Sequence, residues 1–413
     1  MNPDVIALPK LAIEFAASDR PTPFFLYEEA KIRSNCRKFL NSFRRYFPDF
    51  EALFAVKANA NPHLLRIILD EEFGFDVSSY SEAWLAYKLK ASGMYTGNYT
   101  TMEEFKMAEK AKLILNLDDS SAISSLSKIG IPQVISFRIN PGIGQGGMQS
   151  LVTAGPEAKF GIPFEKAADA YGEAQKLGIK HFGIHMMTGS NVLDEKYFPL
   201  VVKKLLEVVA LVKAKTGINI DFLDMGGGFG VPYHPTEKSL NLDHIALNVK
   251  KVFDEQCLKY NLVAPRLMAE PGRYIMANAG WLVSRVISLK NSYKIFMGID
   301  ASTNDMPRPA IYNAFHYITV LNRSKKKQKV SVVGRICENN DQFARDRLLP
   351  QCELGDLVVI HNCGAHAYAM GHNYNGRFRH SEYLLTLKNE LQQIRRAETL
   401  NDLFAAIPDF SLL

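Results

Sequence analysis

The sequence predicts an α/β protein: a (β/α)8 TIM barrel with a second, mostly β domain of sandwich-like or barrel-like form. Apolar strand candidates alternate with amphipathic helical stretches through seven or eight units in about 225 residues without an internal gap, which suits a closed parallel barrel better than an open sheet. After Arg273 the helical period nearly vanishes and short β-rich runs follow one another. The strand candidates of the first part end in polar or glycine-rich turns, and barrels of this kind collect their chemistry at such ends.

In chain order, Phe24–Tyr27 reads as a short apolar strand and residues 28–43 as an amphipathic helix. Barrel strands are expected at Leu53–Lys57, Gly74–Val77, Met94–Tyr99, Lys112–Leu117, Gln133–Ile139, Lys180–His185, Ile220–Met225 and Arg266–Glu270. Helical stretches at Pro62–Glu72, Ser81–Ser92, Phe164–Leu177, Tyr197–Lys213 and Leu242–Tyr260 separate them. The later β runs are Trp281–Leu289, Tyr293–Ile299, Tyr317–Leu321, Val330–Val333, Leu357–His361 and Tyr383–Leu387. The isolated Phe24–Tyr27 strand is expected to complete the second domain, so the barrel spans 30–274 and the β domain 1–29 plus 275–413.

With 413 residues, 47% apolar and 22% charged, the chain can bury a large core in more than one domain. Residues 1–10 lack a basic stretch followed by an apolar one, and no apolar run reaches spanning length, so a cytoplasmic chain with no membrane partner is expected. Cys36, Cys257, Cys337, Cys352 and Cys363 are odd in number and scattered, which argues for reduced thiols. A net charge of +6 is mild for this length. Its densest basic run, Arg323 to Lys329, lies between two apolar runs and reads as a solvated hairpin turn, so no nucleic-acid partner is expected.

The run Phe54-Ala55-Val56-Lys57-Ala58-Asn59 delivers one lysine from an apolar strand to a polar loop. Either Lys57 snorkels from the strand end to water, or burial lowers its pKa and makes it a candidate Schiff-base lysine, able to condense with a carbonyl near neutral pH. The other strand ends add Asp76, His185 in the turn to Ser190, Gly226-Gly227-Gly228, and Glu270-Pro271-Gly272-Arg273. A triple glycine lets backbone N–H groups approach an anion, and a late-strand Gly-Arg turn is a common phosphate cradle, so a phosphate-bearing cofactor is implied. A Rossmann site is set aside because no helix follows the glycines. Glu270 is either an ordinary salt-bridged carboxylate or the group that keeps a pyridine nitrogen protonated, which would make pyridoxal phosphate an electron sink. His361, Cys363, His366 and His372 match no common zinc spacing, and no metal is expected.

These motifs resemble the fold-type III pyridoxal-phosphate decarboxylases of basic amino acids. The similarity extends through Arg138-Ile139-Asn140-Pro141, Lys159-Phe160-Gly161, residues 304–312, Cys337-Glu338 with Asp341, and Asn373-Tyr374-Asn375, and it spans about Pro23 to Leu403. Arg308-Pro309-Ala310-Ile311-Tyr312 looks like the diaminopimelate decarboxylases within that family. The resemblance implies a carboxy-lyase of lysine biosynthesis with pyridoxal 5'-phosphate on Lys57. Asp76, His185, Ser190, Gly227, Gly228, Glu270, Gly272, Arg273 and Tyr374 would surround the cofactor. Arg273, Arg308, Tyr312, Glu338 and Tyr374 would line the substrate site, and Cys337 would be the acid that protonates Cα. In that family the cysteine loop comes from the partner subunit, which implies a homodimer with two shared sites. Met187 stands where the family usually has a ring-stacking histidine, and the stretches Ala301–Thr303 and Gly364–His372 also depart from its pattern. The expected reaction is therefore meso-diaminopimelate to L-lysine and carbon dioxide. A decarboxylase of ornithine, lysine, arginine or a carboxylated polyamine is the nearer alternative, and a catalytically inactive regulatory binding protein the more distant one.

Overall fold

A computed structural model describes residues 1–142, 154–155 and 157–408. Two compact units divide them: Arg33–Val231 with Ser239–Ile275, and Met1–Ile32 with Pro232–Lys238 and Met276 onward. The first strand, β1 (Phe24–Glu28), belongs to the second of these.

The first unit contains β2 (Glu51–Ala55), β3 (Gly74–Val77), β4 (Gly93–Tyr95), β5 (Ile114–Leu117), β6 (Val134–Asn140), the two-residue β7 (Ile162–Pro163) beside it, β8 (His181–His185), β9 (Phe222–Asp224) and β10 (Arg266–Ala269). Parallel pairing runs β5-β4-β3-β2-β10-β9-β8-β6 and back to β5, a closed eight-stranded barrel as expected. The intervening helices start where the sequence carries capping chemistry. Asn61 caps Pro62–Asp70, Ser79 caps Tyr80–Leu89, Asn241 caps Leu242–Lys259, and Thr101 with Glu104 forms a capping box on Met102–Lys110. Each satisfies N–H groups that the helix leaves open, worth about 1 kcal/mol per cap.

Leu53, Met94, Phe222 and Met268 form one buried layer, with Ile114 and Val134 packed against it. Gly183 makes room for the Phe222 ring, since a Cβ there would lie 2.0 Å from it. Strand side chains alternate, so two residues beyond this layer the same face carries Thr96, Asn116, Ser136, His185, Asp224 and Glu270. An apolar floor beneath a polar layer at the C-terminal strand ends is thus written into the period of two.

The second unit pairs β1 with β11 (Gly280–Asn291), β12 (Ile295–Ile299), β13 (Ile318–Leu321), β14 (Lys327–Val333), β15 (Gln342–Pro350), β16 (Leu357–Ile360), β17 (Ser381–Leu385) and β18 (Leu391–Arg395). The sheet order is β15-β14-β12-β11-β1-β17-β18, with β16 joining β11 to β13. β1 is antiparallel to β11 and parallel to β17, so it is central and apolar on both faces. Phe24 and Leu26 enter a core with Trp281, Val283, Val359, Tyr383 and Leu385, against which Ile13, Ala16 and Ala17 of the helix Lys10–Asp19 pack.

Two features differ from the expectation. The basic run does not turn a hairpin: β13 pairs with β16 while β14 pairs with β12 and β15, so Arg323 to Lys326 joins strands that are not neighbours, and Lys327 and Lys329 point outward from β14. β15 and β18 lie at the sheet ends, where charged side chains such as Arg345, Asp346 and Arg347 suit an edge and hide the apolar alternation. Among the described residues no helix is long and apolar enough to cross a membrane.

Candidate active site

β2 ends at Ala55, and a 3-10 turn, Val56–Ala58, carries Lys57 out of the strand. Lys57 Nζ donates to Asp76 Oδ2 at 2.5 Å; the lysine side chain is 42% exposed and the aspartate side chain fully buried. Here the expectation of a lowered lysine pKa is overturned. Burial does push toward the neutral amine, but the Asp76 and Glu270 carboxylates outweigh it and hold the ammonium above its ordinary range. Asp76 is itself raised to about 6, by burial first and then by Glu270, so it is a base next to the ammonium it stabilises.

His185 ends β8, and its Nε2 lies 3.1 Å from Glu270 Oε2, with both side chains buried. Burial would raise the Glu270 pKa, but the His185, Lys57 and Arg138 charges and the His185 hydrogen bond lower it, so Glu270 is an anion at neutral pH. Asp224 ends β9 with ligand atoms grouped within 4.8 Å of those of His185 and Glu270. Burial, then the charge of Glu270, pushes the Asp224 pKa well above its ordinary value. Of two carboxyl groups in one cluster, the one hydrogen-bonded to the histidine is shifted toward the anion and the other toward the acid.

The turn after β9 depends on glycine. Gly226 (φ 70°) and Gly228 (φ 89°) are left-handed, and a Cβ on Gly226 would lie 2.2 Å from the Met186 carbonyl oxygen. At Gly227 it would meet the Glu270 carbonyl oxygen at 2.6 Å. The Gly227 N–H points to Met187 Sδ at 3.3 Å, so the thioether that replaces the family's histidine is tied to the glycine turn. Arg273 donates to Ser190 Oγ at 3.3 Å, and Gly272 sits against Ala55 and Ala58. Nine of the expected barrel residues, Lys57, Asp76, His185, Ser190, Gly227, Gly228, Glu270, Gly272 and Arg273, thus stand at the C-terminal strand ends.

The other expected residues lie in the second unit. Arg308 opens a short helix, Arg308–Tyr312, whose Pro309 sits in the first turn, where no N–H is needed. Its guanidinium is buried, donates to His316 Nε2 at 2.8 Å and lies 4.5 Å above the Tyr233 ring. Tyr312, at the end of that helix, is half-buried. Cys337 and Glu338 are exposed, on a loop held from beneath by Asp341, whose carboxylate accepts from the Thr303 and Ile336 N–H groups at 2.6 and 2.9 Å. The Cys337 N–H donates to Asn375 Oδ1 at 2.5 Å, next to exposed Tyr374. Asp224, Asp341, Asn375, Tyr233 and His316 were not among the expected site residues. Asp224 was findable, standing two positions past Phe222 on the inward face of β9; His316 follows a chain reversal at Asn313 (φ 50°) and carries no periodic signal.

Residues 29–277 match the family model described as pyridoxal-dependent decarboxylase, pyridoxal binding domain. The chain belongs to that family. The pyridoxal-dependent decarboxylase is 36% identical over 398 residues to the diaminopimelate decarboxylase of Methanothermobacter thermautotrophicus, covering 95% of this chain and 92% of the relative. It is 38% identical over 386 residues to protein TabA of Pseudomonas amygdali pv. tabaci, covering 92% of this chain and 90% of that one. The crystal structure of Helicobacter pylori diaminopimelate decarboxylase complexed with L-lysine is similar with a TM-score of 0.87 at 29% identity, over 95% of this chain and 98% of that one. The barrel of this decarboxylase suits the cofactor. Among the described residues, Asp76 Oδ1, His185 Nδ1, Asp224 Oδ2 and Glu270 Oε1 are buried polar atoms without a hydrogen-bond partner, and the glycines at 226–228 keep backbone open where any Cβ would collide.

Proposed function

We propose that this decarboxylase removes the carboxylate from Cα of meso-diaminopimelate to leave L-lysine. The observation that carries the reading is the anionic, buried Glu270 beside His185, in a barrel whose neighbouring strand end presents Lys57. In this reading Lys57 would hold the cofactor through its amine, Glu270 would keep the cofactor's pyridine nitrogen protonated, and Asp76 and His185 would complete the holding residues. Ser190, Gly227, Gly228, Gly272, Arg273 and Tyr374 surround the phosphate. Bound there, pyridoxal phosphate supplies an electron sink for the pair left when carbon dioxide departs. The chain's own part is to keep the Glu270 charge, to let Asp76 Oδ2 receive a proton from Lys57 Nζ, and to protonate Cα from Cys337. Arg308 takes the distal carboxylate of the substrate, with Arg273, Tyr312, Glu338 and Tyr374 along its length.

Carbon dioxide release across a panel tests the substrate. Diaminopimelate is expected to exceed lysine, ornithine, arginine and carboxylated polyamines, because a guanidinium attracts a second carboxylate and repels an ammonium tail. A preference for any ammonium-tailed substrate would remove the assignment while leaving the decarboxylase class intact. Arg308→Ala is expected to lower kcat/KM for diaminopimelate about a hundredfold or more, since a lost buried charge pair costs about 2–5 kcal/mol. Unaltered turnover would assign Arg308 to the β domain's framework.

The working assembly in this reading is a cytoplasmic homodimer with shared sites, which agrees with the exposure of Cys337 and with five free cysteines. Mixing inactive Lys57→Ala and Cys337→Ala subunits is expected to restore roughly a quarter of the activity if subunits exchange statistically, because each mixed dimer regains one whole site. No recovery with exchange verified would put Cys337 in its own chain's site.

A further inference from the structure

We propose that Asn375 is a positioning residue that fixes the backbone of Cys337, and with it the thiol that protonates Cα. The proposal rests on the reading of Cys337 as that acid. Residues 334–341 join β14 to β15, and the turn is closed where the Gly334 N–H donates to the Asp341 carbonyl oxygen at 3.0 Å. The next three N–H groups leave the sheet pattern, and each donates to a side-chain oxygen. The Arg335 N–H meets Ser302 Oγ at 2.9 Å, the Ile336 N–H meets Asp341 Oδ2 at 2.9 Å, and the Cys337 N–H meets Asn375 Oδ1 at 2.5 Å. Ser302 and Asp341 are buried and hold the approach to the turn, and Asn375 is the acceptor that reaches the cysteine itself. A backbone N–H can only donate, so the Asn375 amide must present its oxygen here.

The grip has a second point, because the Arg377 guanidinium donates to the Arg335 carbonyl oxygen at 3.1 Å. A single hydrogen bond would let the turn pivot about it, whereas bonds at 335 and 337 to residues 377 and 375 set its direction. The gripping segment is itself braced. Asn304, buried in the β domain, exchanges two hydrogen bonds with the backbone of His372, at 2.9 and 3.0 Å. Asn373 Nδ2 donates to the Arg377 carbonyl oxygen at 2.9 Å and to Glu398 Oε2 at 2.6 Å. Asn375 has φ 58°, in the left-handed region that asparagine and aspartate tolerate better than most residues with a side chain. Its side chain is exposed, so its bond to Cys337 bears on orientation more than on stability.

The backbone of Asn375 defines the test. Glycine takes that φ freely and has no acceptor, while aspartate tolerates it and keeps one, so the two substitutions separate the hydrogen bond from the shape of the turn. On the holoenzyme, Asn375→Gly is expected to lower kcat on the preferred substrate about tenfold, with KM and cofactor content within about twofold of the parent. Asn375→Asp is expected to keep kcat within about threefold. Amide hydrogen exchange at Cys337 should quicken in Asn375→Gly and stay near the parent's rate in Asn375→Asp. A merely structural role predicts that KM and cofactor content move together with kcat, because Tyr374 shares the turn, and that result would overturn the proposal. So would equal kcat in the two variants, or exchange at Cys337 that the glycine leaves unchanged. If Cys337→Ala lowers turnover and Asn375→Gly does not, Asn375 has no such role and Cys337 keeps its own. If Cys337→Ala leaves turnover unaltered, the reading of Cys337 fails and the proposal with it.

Discussion

Lys57→Ala is expected to lower turnover on the order of ten-thousandfold or more and to abolish reductive labelling of the protein by borohydride. Lys57 is the lysine that a buried strand delivers to the barrel mouth, and its Nζ is the amine held by the Asp76 carboxylate. The two carboxylates that raise its pKa have a kinetic consequence. Its amine must first give up a proton, and Asp76 Oδ2, 2.5 Å away with a pKa near 6, is the acceptor at hand. Asp76→Asn removes both that acceptor and the charge that most holds the ammonium, so it is expected to lower the Lys57 pKa and shift cofactor attachment to lower pH. Peptide mapping after borohydride treatment reads the first claim directly. A label on any lysine other than Lys57, or activity in Lys57→Ala comparable to the parent, would remove the basis of the proposed mechanism.

The second large effect is expected at Glu270. Glu270→Gln preserves shape and can still meet His185, but it removes the charge, and losing one partner of a buried charge interaction costs about 2–5 kcal/mol, roughly thirtyfold to several-thousandfold in kcat/KM. Because the His185, Lys57 and Arg138 charges outweigh burial and depress the Glu270 pKa, its anion is present at and above neutral pH and is lost only as pH falls through that lowered value. Asp224 provides the control. Burial and the Glu270 charge shift it toward the protonated form, so Asp224→Asn is expected to cost far less. Steady-state kinetics with cofactor content measured by absorbance separates lost binding from lost turnover. Equal losses in Glu270→Gln and Asp224→Asn would show that the charge is not where the local fields put it.

Much of the fold was legible because each of its signals is local. Asn61-Pro62, Ser79 with Glu82, and Thr101 with Glu104 cap the helices that follow them, within one turn of chain. The inward face of the barrel strands repeats every second residue, and this alone lines up His185, Asp224 and Glu270 above the apolar layer. β15 and β18 were hidden because edge strands tolerate charge on both faces, and the Arg323–Lys329 run misled because strand neighbours in a sheet need not be neighbours in sequence.

By itself the sequence determined which side chains reach the barrel mouth: an apolar strand that stops at Ala55 must release Lys57 there, and glycines at 226 and 228 are demanded by a left-handed turn. Only the tertiary structure decided what charge those side chains carry. Lys57 is an ammonium because Asp76 and Glu270, 19 and 213 residues away in the chain, stand close enough to outweigh its burial. Glu270 is shifted toward its anion and Asp224 toward its acid for the same reason, since His185 is hydrogen-bonded to Glu270. Periodicity is set by bonds between neighbouring residues, whereas a pKa is set by Coulomb energies and hydrogen bonds that exist only when distant strands are brought together.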